Sequence, residues 1–250
     1  MESLLDLLDA TSGVVCAVGS GGKKSLLRHL ATSHPDRVAI TATSATTYFQ
    51  EHLGFAVVVE ADELLPAAVA RLDPTANVAY ACPDDRPGRR AGVSAATIER
   101  IHRDGGFAAT YVKADGARMR LVKAPADAEP ILPACCTTVL PVLSARAIGE
   151  PLSARVAHRV ERIERVAGLR EHETIGALHL ARLLVSPEGL MKSTEGRRVV
   201  PVINMVDDAA REAQARDAAA AALELCERID RVVLVSLARG ADPVVCVVRR

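Results

Sequence analysis

Short, unbroken apolar runs alternate along this chain with stretches in which apolar residues recur every three or four positions. Leu4, Leu5, Leu7 and Leu8 share one helical face, which predicts a short amphipathic helix over 2–10, stopped by Thr11-Ser12-Gly13. Val14-Val15-Cys16-Ala17-Val18 is a continuous apolar run, the pattern of a strand covered on both faces as in parallel sheets. A glycine-rich turn follows at Gly19–Gly22, and Leu26, Leu27 and Leu30 place a helix over 23–32. The alternation continues with strands over 38–41, 56–60, 76–82, 107–112 and 139–143 and helices over 63–72 and 94–103. Ser94 caps the last helix and Gly105-Gly106 ends it. Residues 83–90 read as a polar loop.

Between 144 and 198 the character changes. Arg, Glu and His rise, and Val156, Val160, Ile163 and Val166 fall at helical spacing, so the segment reads as a helical insertion. Strand character returns over 199–206. An Ala-rich helix spans 208–228, opened by acidic residues that suit the positive end of its dipole. Runs at 232–237 and 244–248 close the chain as strands. Strands alternating with helices predict an α/β layer fold with a mostly parallel sheet. The expected organisation is one domain over 1–250, with 144–198 inserted and no internal repeat.

Composition narrows the function classes. Lys+Arg and Asp+Glu both number 31, so the net charge is zero, unlike a strongly cationic nucleic-acid binder. With three Phe, three Tyr and no Trp, stacking platforms for single strands are not expected either. No nucleic-acid partner is therefore expected. Hydrophobic residues make up 49 %, enough for a globular core, yet no run reaches the roughly 18 residues of a membrane span. The N-terminus lacks the cationic start and apolar stretch of a secretory signal. The cysteines at 16, 82, 135, 136, 226 and 246 form no CxxC pair and read as reduced thiols, so the expected location is the cytoplasm.

Four clusters carry candidate chemistry. Gly19-Ser20-Gly21-Gly22-Lys23-Lys24-Ser25 lies between a strand and a helix, the context of a phosphate-binding loop. Glycines let backbone amides turn toward an anion, the helix presents its positive end to it, and Lys23 can neutralise β/γ-phosphate oxygens. The pattern departs from G-x-x-x-x-G-K-[ST]: Ala17 stands at the first glycine and Lys24 at the magnesium-binding hydroxyl. A glycine turn capped by basic residues is the plainer alternative. Asp115, in Lys113-Ala114-Asp115-Gly116, stands where such folds hold magnesium, although Asp-Gly also suits a simple turn. Thr41-Ala42-Thr43-Ser44 follows a strand, where hydroxyls either reach phosphate or metal-bound water or cap a helix. Asn204-Met205-Val206-Asp207 is an N-x-x-D that either reads a guanine base or, through Asp207, caps the next helix.

Weaker candidates remain. Arg118, Arg120 and Lys123 form a basic stretch suited to an anionic substrate or a γ-phosphate, or simply a solvated loop. Cys135 and Cys136 read as small buried residues or as thiols that handle metal or selenium. His172 and His179 do not form H-E-x-x-H, so no zinc site is expected from them.

The same residues carry a family resemblance. The 19–25 loop resembles the G-x-G-G-K-T-T loop of the selenium-dependent molybdenum hydroxylase accessory proteins, the YqeC-like family. Thr41-Ala42-Thr43 is similar to its T-T-T segment, Ala114-Asp115-Gly116-Ala117 to its A-D-G-A block and Lys123-Ala124-Pro125 to its K-x-P. Glu129-Pro130, Pro133, Gly149, Pro151-Leu152, His158-Arg159 and Asn204-x-x-Asp207 follow in the family's order. The resemblance implies a three-layer P-loop NTPase-like α/β fold. It implies ATP or GTP with Mg2+ as cofactors, and a role in maturing selenium-dependent molybdenum hydroxylases or making their cofactor, with those proteins as partners. A local similarity to the loop of Mur-type ligases supports ATP use by analogy.

Lys24 replaces the family's threonine, and an ammonium cannot coordinate magnesium. Either Ser25 takes the metal-ligand role, or the metal leans on Asp115 and Thr41, or hydrolysis is impaired; Lys24 can instead add a second positive charge at the phosphates. The expected assignment gives the phosphates to Gly19–Gly22, Lys23, Lys24 and Ser25, the base to Asn204 and Asp207, and the metal to Ser25, Thr41 and Asp115. Lys23, Asp115 and Arg118 are the expected catalytic groups. Two further readings stay open: an ATP-dependent kinase or ligase with Arg118, Arg120, Lys123 and His158 holding the acceptor, and a non-catalytic nucleotide-binding module acting through a partner.

Overall fold

The computed structural model describes residues 2–47 and 53–250. In chain order it forms α1 (Leu4–Leu7), β1 (Gly13–Gly19), α2 (Lys23–Ser33), β2 (Val38–Ala42), β3 (Thr46–Thr47), β4 (Ala56–Val59), α3 (Leu65–Ala70), β5 (Val78–Pro83), β6 (Arg89–Ala91), α4 (Ala95–Asp104), β7 (Ala109–Lys113) and β8 (Val122–Lys123). After these come β9 (Cys136–Ser144), β10 (Ala157–His158), α5 (Val160–Ile163), α6 (Ala177–Val185), β11 (Arg198–Val199), β12 (Val202–Asn204), α7 (Ala209–Leu225), β13 (Arg231–Val235) and β14 (Val244–Arg249). The fold is α/β, a mostly parallel sheet flanked by helices, of the three-layer P-loop NTPase-like type.

The chain divides into two compact units. The first comprises Met1–Ala17, Lys24–Gly116 and Ile131–Thr138. Its strands pair in parallel in the order β1-β7-β2-β5-β4, with Ala17 level with Lys113 and Ala42 level with the same residue from the other side. Val14–Val18, Val38–Ile40 and Val78–Tyr80 are all buried, which is why these strands read as unbroken apolar runs rather than alternating ones. Tyr111 is fully buried and its hydroxyl donates to the Ala10 carbonyl at 2.8 Å, tying α1's exit to the sheet. Ser94 caps α4 through the Thr97 amide.

The second unit comprises Val18–Lys23, Ala117–Pro130 and Val139–Arg250. Here β9, β12 and β13 pair in parallel, and β14 adds antiparallel to β13. The alanine-rich α7 turns Ala215, Ala218, Ala219, Ala222 and Leu223 inward and packs against α6. Small side chains on that face let the two helices approach closely. β8 and β10 form a separate two-stranded parallel ladder, with Val122 opposite Ala157 and Lys123 opposite His158.

Several elements differ from the sequence reading. The helix expected from Val156 starts at Val160, because Ala157 and His158 are drawn into β10 and Arg159 takes a left-handed φ of 68°. The 199–206 strand is broken into β11 and β12 around Pro201, which has no N–H for the ladder. The polar 83–90 segment runs into β6, an edge strand paired antiparallel with β5 and β3. β9 starts at Cys136, three residues before the expected strand. No helix among the described residues is long and apolar enough to cross a membrane.

Candidate functional site

The glycine loop leaves β1 and enters α2, an 11-residue helix. Gly21 has φ +66°, and a Cβ there would lie 2.5 Å from the Ser144 amide nitrogen at the end of β9. A Cβ on Gly22, at φ +108°, would lie 2.4 Å from Asn204 Nδ2. Both positions require glycine twice over, by backbone conformation and by close approach. The Ser20 hydroxyl donates to the Leu121 carbonyl at 2.9 Å, and its amide to the Val142 carbonyl at 2.8 Å. The Gly21 amide donates to the Arg120 carbonyl at 3.4 Å. The first half of the loop therefore spends its amides on protein carbonyls. The amides that open an α-helix have no acceptor within the helix, which is the general basis of anion binding at helix starts.

Lys23 is only 4 % exposed, and its Nζ donates back to the Gly19 carbonyl, so the ammonium folds over its own loop. Lys24 points elsewhere, donating to the Thr47 hydroxyl, and burial next to Arg28 lowers its pKa. Ser25 is exposed.

The two halves of N-x-x-D have distinct places. Asn204 Nδ2 donates to the Gly21 carbonyl at 2.7 Å, a brace on the loop, while its Oδ1 is buried with no hydrogen-bond partner among the described residues. Asp207 accepts from the Ser236 hydroxyl at 2.8 Å and from Arg146 at 2.6 and 3.1 Å. Partial burial pushes its pKa up, but those hydrogen bonds outweigh it and hold the carboxyl below its ordinary value. Three hydrogen bonds thus already occupy its two oxygens. Asp208, not Asp207, caps α7, through the Arg211 amide at 2.8 Å.

Among the metal candidates, Asp115 is fully buried two residues past β7. Thr41 is fully buried too, and its hydroxyl donates to the Tyr80 carbonyl at 2.7 Å. Thr43 donates to the Ile131 carbonyl at 3.0 Å and Ser44 accepts from Lys113 Nζ at 2.7 Å. Thr41 and Thr43 thus serve backbone carbonyls, and Ser44 serves the Lys113 ammonium. Among the described residues no group of three or more His, Cys, Asp or Glu side chains could hold a metal alone. Within the first unit Asp115 is a buried carboxylate, the oxygen-donor type that magnesium takes.

Burial pushes the Cys135 thiol up to about 11, with Glu99 and Cys136 adding to the effect. At neutral pH it is a thiol rather than a nucleophilic thiolate.

Sequence reasoning missed the partners that hold these groups: Leu121 and Val142 for the loop, Arg146 and Ser236 for Asp207. A lone carbonyl acceptor leaves no trace in sequence. It also left unseen a buried ion cluster in the second unit. Lys123, fully buried, pairs with Glu129 at 2.7 Å, and Arg159 meets the same carboxylate at 2.8 and 3.2 Å. Burial raises the Glu129 pKa, but the hydrogen bonds from Arg159 and Lys123 outweigh it and bring it to about 2.

Fold and loop together define an α/β protein of the P-loop NTPase-like class. Within that class the chain belongs to the YqeC family: the family model described as "YqeC protein" matches residues 15–161, more than half of the chain. It is also 28 % identical over 197 residues to "Uncharacterized protein YqeC" of Escherichia coli (strain K12), covering 76 % of this chain and 75 % of that protein. No solved structure matches.

Proposed function

We propose that this protein binds ATP or GTP through the Gly19–Ser25 loop and acts as an accessory NTPase in the maturation of selenium-dependent molybdenum hydroxylases. The observation that carries the binding reading is the buried Lys23 ammonium, folded over a glycine loop at the start of an 11-residue helix. An ammonium parked on a backbone carbonyl exchanges that contact for phosphate oxygens at small cost, because the lysine is already ordered. The amides of Gly22 and of the first turn of α2 supply the remaining donors.

Magnesium, when bound, would neutralise phosphate charge. Lys24 and Ser25 keep a secondary part, adding positive field and a solvated hydroxyl. Asn204 acts on the loop rather than on the base, and Asp207 is held by Arg146 and Ser236, so neither favours GTP over ATP. The maturation role rests on the family resemblance. A second reading, an ATP-dependent kinase or ligase, draws support from Arg118 and Arg120, whose chain segment is bonded to the loop. The test of the binding reading is calorimetric titration with each nucleotide, with and without magnesium, on the native chain and on Lys23→Ala.

A further inference from the structure

The second unit holds a pocket of about 340 Å³ whose lining includes Arg118, Arg120, His158, Arg159, Glu161 and Glu171. Its size is at the lower end of small-ligand sites. Among the described residues neither Arg118 nor Arg120 pairs with a carboxylate, while Arg159 is taken by Glu129. Arg118 and Arg159 both hold left-handed backbone, at φ 46° and 68°. Non-glycine residues in that region cost free energy and cluster at ligand sites. The pocket is joined to the glycine loop through a short path. Arg120 and Leu121 accept from Gly21 and Ser20, the Leu121 amide donates to the Val156 carbonyl at 2.9 Å, and β8 pairs with β10, which carries His158.

We propose that this pocket is a binding site for a second, small ligand bearing an oxyanion, phosphate or carboxylate, held by the Arg118 and Arg120 guanidinium groups beside His158. Guanidinium forks match both oxyanions. Glu161 and Glu171 in the lining oppose a polyanion such as nucleic acid and leave a compact anion as the better fit. Burial, then Arg159, Lys123 and Arg118, lower the His158 pKa to about 4. The imidazole is therefore neutral at pH 7 and reports the local field. An anion among these cations raises its pKa, because it favours the charged ring.

The site stands apart from nucleotide binding, and the test separates the two. The ring resonances of His158, assigned by their loss in His158→Gln, are followed in the full chain during titration with inorganic phosphate and with succinate. The expected result is a saturable shift with at least one probe and an upward move of the His158 pKa. That response persists in Lys23→Ala, and its dissociation constant rises at least about tenfold in Arg118→Gln/Arg120→Gln. Where the double variant loses the native amide spectrum, Arg120→Gln alone is used. Comparison of the probes separates phosphate from carboxylate chemistry. A His158 signal that neither probe moves overturns the proposal. So does a response abolished in Lys23→Ala but intact in the arginine variants, which would place the anion on the loop.

Discussion

Asn204 donates its side-chain amide to the carbonyl of Gly21 at 2.7 Å, joining residues 183 apart in sequence. The contact fixes the glycine loop against the end of β12, and a Cβ on Gly22 would lie 2.4 Å from the same amide, so a side chain there would have to displace it. Asn204→Ala strands a buried carbonyl, so stability is expected to fall by about 1–3 kcal/mol. Gly21→Ala meets both its positive φ and the Ser144 backbone and is expected to cost on the order of 3 kcal/mol. Urea denaturation of both variants checks the order. If Gly21→Ala proves the milder change, the close approach to β9 is wrong.

The two adjacent lysines have different geometry and should have different effects. Lys23 is folded over the loop, whereas Lys24 reaches Thr47. Loss of a charge-assisted bond to phosphate costs about 1.5–3 kcal/mol, so Lys23→Ala should weaken triphosphate binding roughly ten- to a hundredfold. Lys24→Ala should change it less than about threefold. Equal losses in calorimetry would place the phosphates in a different register.

Glu129 joins Lys123 and Arg159 in a mostly buried cluster, and its pKa lies at about 2 against an ordinary 4.5. A carboxyl with a depressed pKa stabilises the fold above its unfolded value and loses that contribution as the proton returns. Stability from this cluster is therefore full above about pH 4.5 and is lost as pH falls from there through about 2. Glu129→Gln leaves Lys123 buried without its carboxylate and should cost on the order of 3 kcal/mol at pH 7. Denaturation of native and variant protein across pH should converge at the acid end. A difference independent of pH would contradict the ionic role.

Much of the fold was legible because the strands are covered on both faces. Val14–Val18 could hardly be anything but a buried strand, and Gly19–Gly22 could only be its turn. What lay beyond local pattern was geometry that depends on distant partners. Nothing in Val244–Val248 announces that this strand runs antiparallel. The ladder that claims Ala157 and His158 is set by Val122 and Lys123, so helical spacing from Val156 misled. At the candidate site the sequence located the loop and its lysine. It did not reveal that Thr41 caps the Tyr80 carbonyl, or that Asp207 is held by Arg146 and Ser236. A hydroxyl or carboxylate reads the same whether it waits for a ligand or serves a neighbour.

The central claim is that Lys23 and its loop hold a nucleoside triphosphate. Calorimetric titration of the native chain and of Lys23→Ala with ATP and GTP, each with and without Mg2+, tests it most directly. The account predicts saturable binding of at least one nucleotide to the native chain, strengthened by Mg2+, and weakened roughly ten- to a hundredfold in a folded Lys23→Ala. Absence of binding by both nucleotides, or binding unchanged by Lys23→Ala, would contradict it.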